Sequence, residues 1–319
     1  MDIFLQILIL IVGFILLIKG ADFFVDGASS TASNFRVPKI LIGLTIVAFG
    51  TSAPELAVSF SSLAEGSTDM VLGNVIGSNI INILLILGLG AVIHPIRIRK
   101  QTIRKEIPIA ILVSILLVVL FLDTQLMSGS INQITRSDGI AILLFFAVFL
   151  YYLISMAVRE RGKTEVEKPK WKLVPSLLIT IGGLVGIIFG SNLVVDSATN
   201  IAHTIGITER LISLTVIALG TSLPELVTTI VSAKKGETDL VIGNILGSNI
   251  FNICIVLGVP VATLGTITPE SFKILDLVML VSSALLLYIF SVTEHKISRR
   301  EGALLLTVFV LYYASLFII

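Results

Sequence analysis

The chain has 319 residues, 55% hydrophobic and 13% charged, with a formal net charge of +1 and a mean hydropathy of +1.04. Soluble domains carry roughly 25% charged residues, so the composition excludes an ordinary soluble enzyme and indicates an integral membrane protein. The balanced charge gives no reason to expect nucleic acid as a partner, and one cysteine, Cys254, excludes an internal disulfide or cysteine-metal framework.

Apolar runs near 20 residues long mean helices, because barrel strands would show about ten residues of alternation. Ten spans are expected, near 3–24, 38–64, 69–93, 106–122, 138–158, 173–195, 209–233, 240–263, 275–292 and 301–318. The N-terminus lacks a basic n-region and a small-residue cleavage site, so the first span reads as retained. It carries Gly20, Asp22 and Asp26 and leads into a polar connection at 27–30.

The second span holds Gly50-Thr51-Ser52-Ala53-Pro54-Glu55, which recurs in the seventh as Gly220-Thr221-Ser222-Leu223-Pro224-Glu225. A carboxylate at the middle of a span costs about 2.5–3.5 kcal/mol and marks a functional site by default. Helical spacing puts Thr51, Ser52 and Glu55 on one face. Pro54 removes a backbone donor and frees the Gly50 carbonyl four residues back, as in broken helices that line cavities and attract cations. Hydroxyl, carbonyl and carboxylate oxygens together suit a hard cation.

The third and eighth spans carry Gly73-Asn74-Val75-Ile76-Gly77-Ser78-Asn79-Ile80-Ile81-Asn82 and Gly243-Asn244-Ile245-Leu246-Gly247-Ser248-Asn249-Ile250-Phe251-Asn252. Asn74, Ser78 and Asn82 fall at i, i+4 and i+8, one polar stripe on an apolar helix. The glycines allow close backbone approach. Asparagine and serine add neutral oxygens, leaving Glu55 and Glu225 as the only anions. Spans four, five, nine and ten are expected to lack buried charge and to brace the others. Lys234, Lys235, Glu237 and Asp239 read as a solvated turn.

The matching motifs lie 170 residues apart without gaps. Five spans per half is an odd number, so the second half enters from the opposite face and the halves form an inverted repeat. The expected organisation is a first repeat at 1–125 with its fifth span at 138–158, a linker at 159–172, and a second repeat at 173–319. Basic residues concentrate in alternate loops: Arg36 and Lys39; Arg97 to Lys105; Arg159 to Lys172; Lys234 and Lys235; and Lys296 to Arg300. The opposite side has only Arg136, Arg210 and Lys273. The 159–172 loop is therefore expected in the cytoplasm and both termini outside.

The paired motifs resemble the alpha-repeats of the sodium/calcium exchanger family, within the cation/calcium exchanger superfamily, and the chain is similar to its prokaryotic short forms without a regulatory domain. The resemblance implies an all-α integral membrane fold of ten transmembrane helices in two inverted five-helix repeats. The first and sixth helices would slide across a core of the second, third, seventh and eighth. It implies an ion site of Thr51, Ser52, Glu55, Ser78 and Asn82 with Thr221, Ser222, Glu225, Ser248 and Asn252, plus backbone carbonyls of Ala48 and Ala218. The cargo would be calcium and sodium, in a prokaryotic plasma membrane. No resident cofactor and no obligatory protein partner are expected, and a monomer is compatible with the reading. Potassium-dependent exchangers, and some potassium-independent prokaryotic ones, carry an aspartate where this chain has Asn252, which argues against potassium co-transport.

A cation/proton antiporter is the nearest alternative, since a buried glutamate can take a proton in place of sodium. A cation channel is a remote one, because conduction favours weak, continuous sites over paired broken helices. A hydrolase using Thr51 or Ser52 would need a base, and His94, His203 and His295 all lie near span ends.

Overall fold

The structure, a computed structural model, describes residues 3–126, 131–160, 168–205, 218–269 and 274–318. Arg161, Lys163, Arg210, Lys273, the middle of the 159–172 linker and the beginning of the expected seventh span lie outside the described residues. In chain order the main helices are α1 (Ile3–Phe35), α2 (Lys39–Thr51), α3 (Ala53–Ala64), α4 (Thr68–Ile93), α5 (Glu106–Phe121) and α6 (Arg136–Glu160). The second half follows with α7 (Leu173–Thr204), α8 (Ala218–Gly220), α9 (Leu223–Lys234), α10 (Thr238–Leu264), α11 (Ile274–Glu294) and α12 (Arg299–Ile318). Among the described residues six helices are long and apolar enough to cross a membrane, or seven if α2 and α3 form one bent span. Ten spans were expected. The others fall short for local reasons: α5 has 16 residues, α9 has 12 because the helix breaks at Ser222, and α12 opens on the charged turn Arg299-Arg300-Glu301.

The elements recur at the sequence offset of 170. Thus α3 begins at Ala53 and α9 at Leu223, while α4 begins at Thr68 and α10 at Thr238. The fold is not purely helical. Strand β1 (Ile96–Arg97) pairs antiparallel with β2 (Lys296–Ile297), and an isolated bridge joins Ile134 to Ile267. All four isoleucines of these ladders, 96, 134, 267 and 297, are fully buried, so the loops are anchored by side chains as well as by backbone bonds.

α1 and α7 are 33 and 32 residues long. At 1.5 Å per residue each spans about 50 Å, more than the ~30 Å apolar layer, so both must tilt. Their antiparallel seam is backbone against backbone. Gly13, Gly20 and Gly27 of α1, seven residues apart, meet Gly190, Gly183 and Thr180 of α7. A Cβ at Gly183 would lie 2.4 Å from the Phe24 amide nitrogen, and one at Gly20 would lie 2.7 Å from that of Ile187. Gly183→Val is therefore expected to push the pair apart and to destabilise by about 1–3 kcal/mol, as overpacked cores do. Melting in detergent checks this against Gly182→Val, whose site is exposed with no described atom within 4 Å of a Cβ. Equal melting temperatures would refute the seam.

The outer helices turn apolar faces outward, as with Leu144, Val148, Tyr151 and Ile154 of α6. That exposure costs nothing against lipid tails. α10 is almost wholly enclosed and α4 largely so. Backbone approach holds α10 against α2: a Cβ at Gly243 would lie 2.7 Å from the Ile40 carbonyl oxygen and 2.8 Å from the Gly43 Cα. The packing role expected of the motif glycines holds for Gly243 and Gly247. No described atom lies within 4 Å of a Cβ at Gly73 or Gly77.

Three expectations are corrected. Residues 27–30 are not a connection, because α1 continues to Phe35. The polar residues there have partners: the Ser30 hydroxyl lies 2.9 Å from that of Ser176, and Asn34 Nδ2 donates to the Trp171 carbonyl at 2.8 Å. The turn at 234–239 is not merely solvated. Lys235 pairs with Asp26 at 2.7 Å and Asp22 at 3.4 Å, Lys39 with Glu237 at 2.8 Å, and Arg99 with Asp239. These pairs are part-exposed and worth about 0–1 kcal/mol each, yet together they tie α1 and α2 to the α9–α10 turn. Spans four and nine also carry carboxylates with tyrosine partners. Glu106, 1% exposed at the start of α5, accepts from the Tyr152 hydroxyl, and Asp276 in α11 accepts from Tyr312 at 2.7 Å. Both carboxylates sit in a first helical turn, where the helix dipole favours negative charge.

Candidate functional site

Both copies of the G-T-S-x-P-E motif lie where a helix breaks. α2 ends at Thr51, Ser52 takes φ −85° and ψ 7°, and α3 restarts at 44° to α2. Ser222 takes nearly the same conformation, φ −88° and ψ 6°, between α8 and α9. Pro54 and Pro224 occupy the first turns of the restarted helices, where a missing N–H leaves no gap in the helical ladder. The glutamates follow at once, at the positive ends of half-helices.

The break changes how the motif works. Thr51, Ser52 and Glu55 do not share one uninterrupted helical face; the hydroxyls close one half-helix and the carboxylate opens the next. Their main partners lie in the other half of the chain. Ser52 Oγ donates to Glu225 Oε1 at 3.0 Å, and Ser222 Oγ reaches Glu55 Oε1 at 3.4 Å. Thr51 and Thr221 likewise lie beside the opposite carboxylates. Ser248 Oγ is 3.4 Å from Glu225 Oε1, and Ser78 Oγ is 3.5 Å from Ser222 Oγ. One cluster thus unites Thr51, Ser52, Glu55 and Ser78 with Thr221, Ser222, Glu225 and Ser248.

Asn82 and Asn252 follow Ser78 and Ser248 by four residues, one turn on along α4 and α10. Each begins a π-helical stretch, Asn82–Leu87 and Asn252–Leu257, a local widening often found at functional sites. The first-half stripe divides here. Asn74 Nδ2 donates to the Glu55 carbonyl and to Ser59 Oγ, both at 3.0 Å, and so braces α3. The Ala48 carbonyl accepts from the Ser52 amide at 3.0 Å and lies 3.4 Å from Thr51 Oγ1, whose shorter contacts are the Val47 carbonyl and Asn244 Oδ1 at 3.1 Å, and Ala218 opens α8. The freed proline-side carbonyls are not both open to a cation. That of Gly220 accepts from Ser191 Oγ of α7 at 3.2 Å, whereas the residue 170 positions before Ser191 is Ala21, which has no hydroxyl.

Glu55 and Glu225 are 1% and 0% exposed, and Asn82 and Asn252 are equally enclosed. Glu55 Oε2, Glu225 Oε2, Asn82 Oδ1 and Asn252 Oδ1 have no hydrogen-bond partner among the described residues. Buried polar atoms in folded proteins are nearly always satisfied, and an uncompensated buried charge costs several kcal/mol. Two anionic and two neutral buried oxygens thus lack partners, on helices whose serine hydroxyls meet the carboxylates. That donor set fits a hard cation, which takes six or more oxygens when it is calcium.

Two residues of this centre escape a reading based on polar stripes. Asn79 and Asn249 are buried and exchange hydrogen bonds across the halves: Asn79 Nδ2 donates to the Asn249 carbonyl at 3.3 Å, and Asn249 Nδ2 to that of Asn79 at 3.4 Å. The available signal was an amide inside a membrane helix, three residues before another.

Such a helical fold around an enclosed acceptor cluster defines a multi-pass membrane transporter of cations. The chain belongs to the sodium/calcium exchanger family: the model described as "Sodium/calcium exchanger protein" matches residues 5–155 and 175–318. It is 39% identical to the putative antiporter CaxA of Alkalimonas amylolytica over 96% of this chain and 97% of that protein. It is 29% identical to the sodium/calcium exchanger MaX1 of Methanosarcina acetivorans, over 98% of both. Among solved structures, the sodium-calcium exchanger NCX_Mj soaked with 10 mM Na+ and zero Ca2+ superposes with a TM-score of 0.85 at 34% identity, covering 99% of this chain and 100% of that one. The same exchanger soaked with 2.5 mM Na+ and 0.1 mM Ca2+ gives 0.82. The family transports ions and is not an enzyme family.

Proposed function

We propose that this protein is a sodium/calcium antiporter in which both ions bind, in turn, to one site made by Glu55 and Glu225 with the oxygens of Thr51, Ser52, Ser78, Asn82, Thr221, Ser222, Ser248 and Asn252 and the carbonyls of Ala48 and Ala218. The observation that carries this reading is the set of four buried, partnerless oxygens contributed by both halves. Calcium or sodium neutralises the two carboxylates, whereas the bare doubly negative site cannot readily cross an apolar barrier. Either load then permits the switch, and a sodium gradient drives calcium uphill. In this reading ten helices form two inverted repeats, at 1–125 with 138–158 and at 173–319, joined by a cytoplasmic 159–172 linker, with both termini outside. The paired α1 and α7 move against the core as a monomer works. The glycine seam supports motion of α1 and α7 as one unit, since it holds them backbone against backbone.

Calcium-45 uptake into proteoliposomes tests the coupling. An outward sodium gradient is expected to drive uptake at least about tenfold above an outward proton gradient of equal size. The reverse order would replace sodium by protons as the driving ion, and uptake needing no counter-ion would indicate a channel.

A further inference from the structure

Four asparagines meet where α4 and α10 cross, and only two of them, Asn82 and Asn252, have a side-chain oxygen without a partner among the described residues. Asn82 Nδ2 donates to Asn249 Oδ1 at 3.0 Å, and Asn252 Nδ2 donates to Asn79 Oδ1 at 3.2 Å. Asn249 and Asn79 in turn have their own amide groups held by each other's backbone carbonyls, at 3.4 and 3.3 Å. A carboxamide is nearly symmetric in shape, and only its hydrogen bonds decide which end faces which way. With both NH2 groups committed to the opposite half, Asn82 and Asn252 are left with partnerless Oδ1 atoms. All four side chains are nearly or fully buried, so water does not compete for these bonds.

We propose that Asn79 and Asn249 are positioning residues for the transported cation. Each fixes the amide of the ligating asparagine in the other half, Asn252 and Asn82 respectively, so that oxygen and not NH2 faces the ions. Without that hold the amide can turn over, and an NH2 aimed at a cation repels it. The inference rests on the reading of Asn82 and Asn252 as ion ligands. It adds a consequence that a ligand set does not contain: each half of the chain sets the affinity of the other.

The test is calcium binding to the purified protein by titration calorimetry, together with the apparent KM and maximal rate of sodium-driven calcium-45 exchange. Asn79→Leu keeps the volume and removes the acceptor; it is expected to weaken calcium binding about tenfold and raise KM to match, with the maximal rate changed less than about twofold. Asn79→Asp is isosteric, still accepts from Asn252 Nδ2, and as the protonated acid donates to the Asn249 carbonyl in place of Nδ2, so it is expected to rescue most of that loss. The Asn79→Leu/Asn252→Ala double variant should bind no more weakly than Asn252→Ala, because the first residue acts through the second. Wild-type affinity in Asn79→Leu, a loss confined to maximal rate, failure of Asn79→Asp to rescue, or additive losses in the double variant would each overturn the proposal. If Asn79→Leu does not fold, Asn249→Leu, Asn249→Asp and Asn82→Ala give the same comparison from the other half. Wild-type calcium binding in Asn252→Ala and Asn82→Ala would instead remove the ligand reading beneath it.

Discussion

Glu55→Gln and Glu225→Gln are each expected to abolish calcium exchange while leaving a folded, membrane-inserted protein. Glutamine keeps the shape and an acceptor oxygen, so the bond from Ser52 to Glu225 Oε1 and that from Ser222 to Glu55 Oε1 can be retained. What is lost is half of the fixed charge. A unit charge about 4 Å from a cation contributes about 4 kcal/mol per cation charge at an effective dielectric of 20, close to a thousandfold in affinity. Two buried like charges also oppose folding when no cation lies between them. The ion-free glutamine variants should therefore melt at or above the wild-type temperature, and added calcium should raise the wild-type melting temperature much more than theirs. Residual sodium-driven flux above about one-tenth of wild type in either variant would remove that glutamate from the site. Loss of flux accompanied by early melting would point to structural damage.

The repeat made much of this fold legible. Two halves at an offset of 170 residues, each with a buried glutamate after a proline and a run of small and amide residues, are plain in the sequence. The broken helices follow from Pro54 and Pro224. Residues that act across the halves were much less legible, because helical periodicity reports neighbours within one helix and is silent about what the facing helix presents. Ser52 was placed beside Glu55 by spacing, yet its hydroxyl serves Glu225. Asn79 and Asn249 fall outside the stripe at i, i+4 and i+8, and their role depends on the crossing of α4 and α10. The π-helical stretches after Asn82 and Asn252 carry no distinctive residue pattern either, since they depend on packing. The pairing of Lys235 with Asp22 and Asp26 joins residues more than 200 positions apart, which no loop-by-loop count of charge could connect.

Asn252→Asp is expected to convert a site indifferent to potassium into one sensitive to potassium or protons. Asn252 Oδ1 is buried and partnerless, one helical turn beyond Ser248, whose hydroxyl lies 3.4 Å from Glu225 Oε1, and its Nδ2 donates to Asn79 Oδ1 at 3.2 Å. An aspartate adds a third negative charge to an enclosed cluster, and like charges at close range resist joint ionisation, so the cluster takes up an additional cation or proton. The second aspartate oxygen would meet Asn79 Oδ1 acceptor to acceptor. Asn79 would then have to turn its amide over, giving up its 3.3 Å bond to the Asn249 carbonyl, or the new carboxyl would have to stay protonated. Either route makes transport depend on an ion to which the wild-type site is expected to be indifferent. The measurement is sodium-driven calcium-45 flux at clamped voltage and fixed sodium, with potassium exchanged for an inert cation and with pH varied. The variant's flux should rise several-fold with potassium, or its half-inhibition by protons should move up by about one pH unit. Wild-type flux that itself rises several-fold with potassium, or a variant whose potassium and pH profiles match the wild type, would show that position 252 does not set the charge of the transport site.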